Sequence, residues 1–378
     1  MNFLQQYISQ NIDALFFGVY LITFSIQLYF IIIVQRKLAF LKPPKINGQM
    51  KVPVSIIIAA RNESDKLFRN LPKILTQKYD AFEVIVVNHQ SIDNSKDILE
   101  AFSKQYDHLK IVELAEDKHL RTGKKLPLTI GLKAAKYEHL IFTDADCTPN
   151  SDCWIEKISN KFKGDKEIVL GYGPMLESPG VLNKLIRFDT AWIGINYLSM
   201  ALNNQPYMGV GRNLAYTKSA FFSVNGFKSH YSIPSGDDDL FIQEAVKKKG
   251  YTIQISPDSF MYSPAKTTIN DWLKQKARHY QTTPRYTFIK KLLLAIYPIS
   301  LVLTWICFVS LILLVDQDLY LTLSIVVLYA LKWWIGARCL IKLQEKNLAL
   351  FFPFWDLFYA VFIPLLFLIA KNKKSATW

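Results

Sequence analysis

The chain has 378 residues, 51% of them apolar and 14% aromatic, and a formal net charge of +14. That length holds one large domain or two smaller ones, and so high an apolar share excludes a wholly soluble protein. The four cysteines lack paired zinc-ligand spacing. With no basic helix or aromatic RNA-binding strand pattern, nucleic acid is not expected as a partner; the positive charge suits anionic lipid head groups or a nucleotide's phosphates.

Residues 13–34 contain no Lys or Arg and one acid, Asp13. The stretch is long enough to cross a hydrocarbon core of about 30 Å, and without a basic leader or a small-residue cleavage site it reads as an uncleaved anchor. Arg36, Lys37, Lys42 and Lys45 follow it, so the excess of basic residues on the inner face places residues 36–290 in the cytoplasm. Cys147 and Cys153 then lie on the reducing side and are expected as free thiols.

The pattern then alternates strand and helix. Residues 54–59 form a continuous apolar, β-branched run, as in a parallel strand buried on both faces. Helical spacing over 63–77 is followed by a strand at 82–87, a helix at 95–106 and a strand at 109–113. A helix at 124–135 and a strand at 140–143 complete the series. Such alternation predicts an open α/β sheet whose ligand lies at the carboxyl ends of the strands.

Polar clusters stand at three of those ends: Arg61-Asn62-Glu63, then Asn88-His89-Gln90-Ser91-Ile92-Asp93, then Asp144-Ala145-Asp146. Two carboxylates held at a strand end suit a hard divalent cation that keeps coordination sites for substrate phosphates; an acidic strand-to-turn exit is the alternative. No Gly-x-Gly-x-x-Gly follows the first strand and no Walker-type loop is present. Gly123-Lys124-Lys125 opens a helix, where backbone amides and two ammonium groups are placed to meet an anion.

Residues 180–203 are amphipathic and aromatic, fitting either the core or a bilayer interface that guides a lipid. Gly209-Val210-Gly211-Arg212-Asn213 permits close backbone approach, with Arg212 available to a phosphate, and a helix is expected over 216–224. Three consecutive acids, Asp237, Asp238 and Asp239, cannot all ionise comfortably. They fit a catalytic base, a helix N-terminus, or both. Gln275 and Arg278 share one face of a helix; the same segment also reads as an amphipathic helix on head groups through Lys274, Lys276 and Arg285.

Two further spans are expected at 292–315 and 319–341, joined by Asp316-Gln317-Asp318 outside and closed by Arg338, Lys342 and Lys346 inside. Residues 350–370 carry Pro353, Asp356 and Pro364, so a broken helix, re-entrant hairpin, interfacial segment or span is possible. A full crossing would leave Lys371, Lys373 and Lys374 outside, so this segment is expected not to cross fully.

The run Val54 to Glu63, the run Val86 to Asp93, Gly123-Lys124-Lys125 and Asp144-Ala145-Asp146, in that order and spacing, resemble the family 2 glycosyltransferases of GT-A fold over roughly residues 52–285. The added membrane segments resemble the lipid-directed members, such as ceramide glucosyltransferase-like and carotenoid glycosyltransferase-like enzymes. The resemblance implies an α/β GT-A domain, with a mixed, mainly parallel sheet and helices on both faces, between transmembrane helices. The expected organisation is an anchor and basic linker over 1–45, a cytoplasmic domain over 46–285 and a membrane region over 286–378, in the inner membrane.

It also implies roles. Ala60 and Glu63 lie against the base and ribose of the donor, Asn88, His89 and Asp93 hold the base edge, and Lys124 lies near the base or diphosphate. His89 stands where the family commonly has an aspartate that accepts a hydrogen bond from uracil; a neutral His accepts one such bond. Asp144 approaches the ribose or metal and Asp146 ligates Mn2+ or Mg2+. The base is Asp238 or Asp239, with Asp238 preferred. Arg278 contacts the diphosphate and Gln275 the acceptor region, where Gly211, Arg212, Asp237 and His279 also lie, His279 replacing a tryptophan platform. The implied activity is inverting transfer from a UDP- or GDP-sugar to a lipid hydroxyl. The rivals are a processive polysaccharide synthase, which three or four spans equip poorly, and a non-catalytic nucleotide- or lipid-binding homologue.

Overall fold

The computed structural model describes residues 2–42, 51–114, 123–314 and 319–371; Lys45, the 316–318 loop, Lys373 and Lys374 lie outside them. The chain divides into two units, one formed by Met1–Leu41 and Tyr286–Ile369 and the other containing Lys42–Arg285. The first begins with α1 (Asn2–Tyr29), which continues through a π-helical stretch (Phe30–Gln35) into α2 (Arg36–Ala39).

In the second unit, β1 (Val54–Ala60) is buried along its whole length, as its unbroken apolar run requires. It pairs in parallel with β2 (Phe82–His89), reached through α3 (Ser64–Leu75), and β2 pairs in parallel with β3 (Leu109–Leu114), reached through α4 (Ser95–Ser103). Then α5 (Lys125–Ala134) leads to β4 (His139–Asp144), parallel on the other side of β1. At Gly131, α5 approaches so closely that a Cβ would stand 2.8 Å from Ile57 Cγ2.

Beyond β4 come β5 (Thr148–Pro149), α6 (Trp154–Ser159), β6 (Lys166–Leu170) and α7 (Val181–Leu202). They are followed by β7 (Leu214–Thr217), α8 (Lys218–Ser223), α9 (Asp239–Ala245), β8 (Gly250–Ile253), β9 (Met261–Tyr262) and α10 (Ile269–Tyr280). The sheet order is β3-β2-β1-β4-β7-β6-β8, with β7 antiparallel to both neighbours, and β5 pairs with β9 separately.

One sequence expectation changes here, and two readings left open are decided. Tyr216 belongs to strand β7, and the helix starts only at Lys218, because a four-residue apolar strand looks like a helix start. α7 is a core helix, not an interfacial one: Phe188, Ala191, Ile195, Tyr197 and Leu198 are fully buried. Lys276 does not lie on head groups; it is buried in α10 and paired with Asp189 of α7 at 2.5 Å.

The membrane-type unit is completed by α11 (Phe288–Leu314), α12 (Leu319–Lys342), α13 (Lys346–Ala349) and α14 (Phe352–Lys371). Asp13–Ala39, α11, α12 and Phe352–Ile369 are each long and apolar enough to cross a membrane. The last is one continuous helix despite Pro364, so the broken-helix and hairpin readings fail.

A buried polar network joins four of these helices. Lys332 Nζ pairs with Asp356 Oδ2 at 2.6 Å and donates to Gln27 Oε1 at 2.8 Å. Tyr297 OH donates to Asp356, and Gln27 Nε2 donates to Ser300 Oγ and the Tyr297 carbonyl. Removing one partner strands the other charge in an apolar bundle, so Asp356→Ala is expected to cost about 3–5 kcal/mol, read as an earlier unfolding transition in detergent. An unchanged transition would contradict that role.

Candidate active site

The strand exits of the parallel half-sheet form one rim. Asn62 and Gln90 both adopt the left-handed conformation, with φ of 53° and 55°, and turn the chain sharply after β1 and β2. Asn62 Oδ1 accepts from Ile92 N, and Ser91 Oγ accepts from Asn62 N, which ties the two exits together. Asp93 Oδ2 accepts from Ser64 N, and its Oδ1 from the backbone N and hydroxyl of Ser95. Asp93 thus braces the starts of α3 and α4 and is not among the cleft-lining residues.

An open cleft of about 480 Å³ lies along this rim. Among the described residues, seven lining side chains are cationic and four are carboxylates, a balance that favours a polyanionic ligand. Strand alternation puts Ala59 and Arg61 on the cleft, while Ala60, fully buried, joins the core cluster with Ile56 and Ile58. The Ala60 side chain is thus turned away from the cleft, and its neighbours Ala59 and Arg61 line it. Glu63 lines the cleft, paired with Lys66 at 2.5 Å. Asn88 and His89 are buried behind the rim, and the Asn88 amide donates to both oxygens of Glu113. Burial, reinforced by Arg61, lowers the His89 pKa and keeps its ring neutral at pH 7.

Asp144, the last residue of β4, receives the Lys124 ammonium at 2.7 Å. Burial opposes its ionisation, but Lys124, together with Arg212 and Arg278, outweighs burial and holds Asp144 below the usual carboxylate range. Asp146 accepts from Cys147 Sγ at 3.4 Å. The ligand atoms of Asp144, Asp146 and Cys147 lie within 4.8 Å of one another. Two carboxylates beside an open basic cleft fit Mg2+ or Mn2+, which take a few carboxylate oxygens and complete their shell with phosphate and water. Lys125 is not a second cleft cation: it is buried and donates to backbone carbonyls.

The facing wall comes from α10 and the 211–213 turn. Gln275 and Arg278, three residues apart, both line the cleft, and the neighbouring Lys276–Asp189 pair anchors their helix to α7. Arg212 also lines it, with its guanidinium donating twice to the Gly173 carbonyl. A Cβ on Gly173 would collide with that guanidinium, so the glycine makes room for it. His279 is exposed on α10 and is not among the lining residues.

The acid triad adjoins this wall through Gly211, whose N–H donates to Asp238 Oδ2 at 3.0 Å. Asp238 Oδ1 accepts from Asp239 N and caps α9. Burial, then the charges of Asp237 and Asp239, push Asp238 up to about 7. Asp239 is more deeply committed, accepting from Leu240 N and from Thr282 Oγ1 at 2.6 Å. Arg61, Lys66, Lys266 and Lys274 also line the cleft but were not singled out from sequence as site residues. Arg61 stood in the first strand-exit motif; Lys266 lies in a loop without any motif.

A mixed, mostly parallel sheet with a carboxylate pair and a basic cleft at its carboxyl edge is the GT-A architecture. Two family models match: Glycosyl transferase family 2 over residues 55–220 and Glycosyl transferase family group 2 over residues 139–337. The chain belongs to the family 2 glycosyltransferases. It is 26% identical over 269 residues to the poly-beta-1,6-N-acetyl-D-glucosamine synthase of Staphylococcus aureus (strain MSSA476), covering 70% of this chain and 62% of that protein. The Staphylococcus epidermidis protein of the same name is also 26% identical, over 71% of this chain and 63% of its own length. The chain thus spans less than two thirds of these relatives. A mannosyltransferase from Pyrobaculum calidifontis, solved in complex with GDP-Man and Mn2+, shares the fold with a TM-score of 0.54 at 15% identity, covering 94% of this chain and 99% of that one.

Proposed function

We propose that the protein is a metal-dependent, inverting glycosyltransferase that moves one sugar from a nucleotide sugar to a hydroxyl of a membrane lipid. The observation that carries this reading is a basic cleft holding Asp144 and Asp146 on one wall and Gln275 and Arg278 on the other, adjoined by a carboxylate raised to about 7. A base with that pKa is about half ionised near pH 7 and takes up a proton readily.

Asp238 removes the acceptor hydroxyl's proton as that oxygen attacks the anomeric carbon from the side opposite the leaving diphosphate. Lys124, Arg212 and Arg278 surround the diphosphate and stabilise its growing charge. A bound Mn2+ or Mg2+ on Asp146, with Asp144 beside it, supplies further neutralisation of the leaving group. Glu63 and Arg61 face the nucleoside, and neutral His89 supports the base edge from behind.

Four helices able to cross a membrane support a lipid acceptor, and the basic residues after the first span support a cytoplasmic site in the inner membrane. In α14, Asp356 meets Lys332 and Phe352 packs on Gly336, so α14 runs antiparallel to α12, as a fourth span would. The likeness to poly-beta-1,6-N-acetyl-D-glucosamine synthases favours a second reading, a synthase that repeats the transfer.

A thermal-shift panel of UDP-, GDP- and polyprenyl-phosphate sugars, each with and without Mn2+, tests the donor half. One nucleotide sugar should stabilise the protein only when metal is present. Equal stabilisation without metal would contradict metal dependence.

A further inference from the structure

Two adjacent lysines at the start of α5 serve different parts of the site. Lys124 reaches the Asp144 carboxylate. Lys125, only 4% exposed, turns the other way. Its ammonium donates to the carbonyls of His230, Ile233 and Ser235 at 2.5, 2.8 and 2.8 Å. All three donors of one ammonium are thus spent on one loop. That loop ends at Gly236, where φ is 98° and a Cβ would stand 2.7 Å from Leu240 Cδ1, and the next residues are Asp237 and Asp238. Tyr231, Ser232 and Pro234 are exposed, so little apolar packing fixes the loop from outside.

We propose that Lys125 is a positioning residue: it clamps the 230–235 loop in the shape that aims Asp238, while Lys124 on the same helix turn holds the donor side. This rests on the glycosyltransferase reading of Asp238. A charged donor to three carbonyls outweighs any neutral replacement. Burial draws Lys125 down to about 8, against the pull of Asp237, Asp239 and Asp238, so it carries its charge at neutral pH. A solvated lysine at a helix start would leave the loop's conformation and the turnover untouched by its removal. The clamp makes the opposite demand.

The test uses the full chain in detergent or nanodiscs with two variants, Lys125→Met and Lys125→Gln. Three quantities are measured: turnover, the thermal shift produced by nucleotide sugar with Mn2+, and amide exchange over residues 230–237. With Lys125→Met, turnover should fall by about 10- to 100-fold, the scale of a base misplaced by about 1 Å. Exchange in the loop should rise at least about tenfold, while the donor-induced shift stays at the wild-type value. Lys125→Gln, which keeps two donors, should lie between the two and covers the case in which the Met variant does not fold. Unchanged loop exchange in both variants overturns the proposal. So does a loss of turnover matched by loss of the donor-induced shift, which would mark Lys125 as a general folding residue. If the wild type itself transfers no sugar, the functional reading fails, yet loop exchange still decides whether the clamp exists.

Discussion

Asp238→Asn is expected to lower turnover by about 100- to 10,000-fold, the range a positioned general base supplies, while the protein stays folded. The amide keeps the shape of the carboxylate and still offers one acceptor to the Asp239 or Gly211 N–H. In the wild type, the carboxylate is raised to about 7 by burial and by Asp237 and Asp239, so kcat/KM should climb with pH through about 7 and then level. Linkage gives an independent check. Between the ordinary value of 3.8 and about 7, the folded protein binds more protons at this site than the unfolded chain. Stability from this group is therefore fully present below 3.8 and is lost as pH rises through 7. Thermal melts from pH 5 to 8 should show that loss in the wild type and a flatter profile in Asp238→Asn. Asp239→Asn should behave differently, because that carboxylate is tied to Leu240 N and Thr282 Oγ1. Its replacement should lower the melting temperature at every pH. If Asp239→Asn alone abolishes turnover without destabilisation, the base has been assigned to the wrong residue.

Asp146→Asn is expected to be equally severe, by a different route. Asp144 already spends one oxygen on Lys124, so Asp146, whose Oδ1 meets only the weak donor Cys147 Sγ among the described contacts, is the stronger candidate for the cation. With donor and metal at about a hundred times their dissociation constant, the wild type should gain about 2.7 kcal/mol of stability. The variant should gain almost none with metal present, and its turnover should match that of the wild type in chelator. A normal metal-dependent shift in Asp146→Asn would remove Asp146 from the metal site.

Much of this site was legible because strand ends are legible. The apolar runs of β1, β2 and β4 stop where Arg61, Asn88 and Asp144 begin, and a parallel sheet brings those exits together. Depth across the rim was not legible. Ala60 and Arg61 differ by one residue, but pleating sends one to the core and the other to the cleft. Lys124 and Lys125 are chemically identical in sequence, and only the 230–235 loop, more than a hundred residues later, distinguishes the cleft cation from the buried one. The second half of the sheet was missed because β6, β7 and β8 span five, four and four residues, too few for a period to show. Lys276 also read as a head-group contact; its pairing with Asp189 at 2.5 Å is a tertiary fact that ties α10 to α7.

The most direct test of the whole account is a transfer assay on the purified full chain in lipid nanodiscs, using radiolabelled nucleotide sugars and Mn2+. The label should move into the organic-extractable fraction as a single sugar per lipid, and chelator, Asp146→Asn or Asp238→Asn should each prevent it. Label that stays in the aqueous phase as a polymer, or transfer that survives both substitutions, would contradict it.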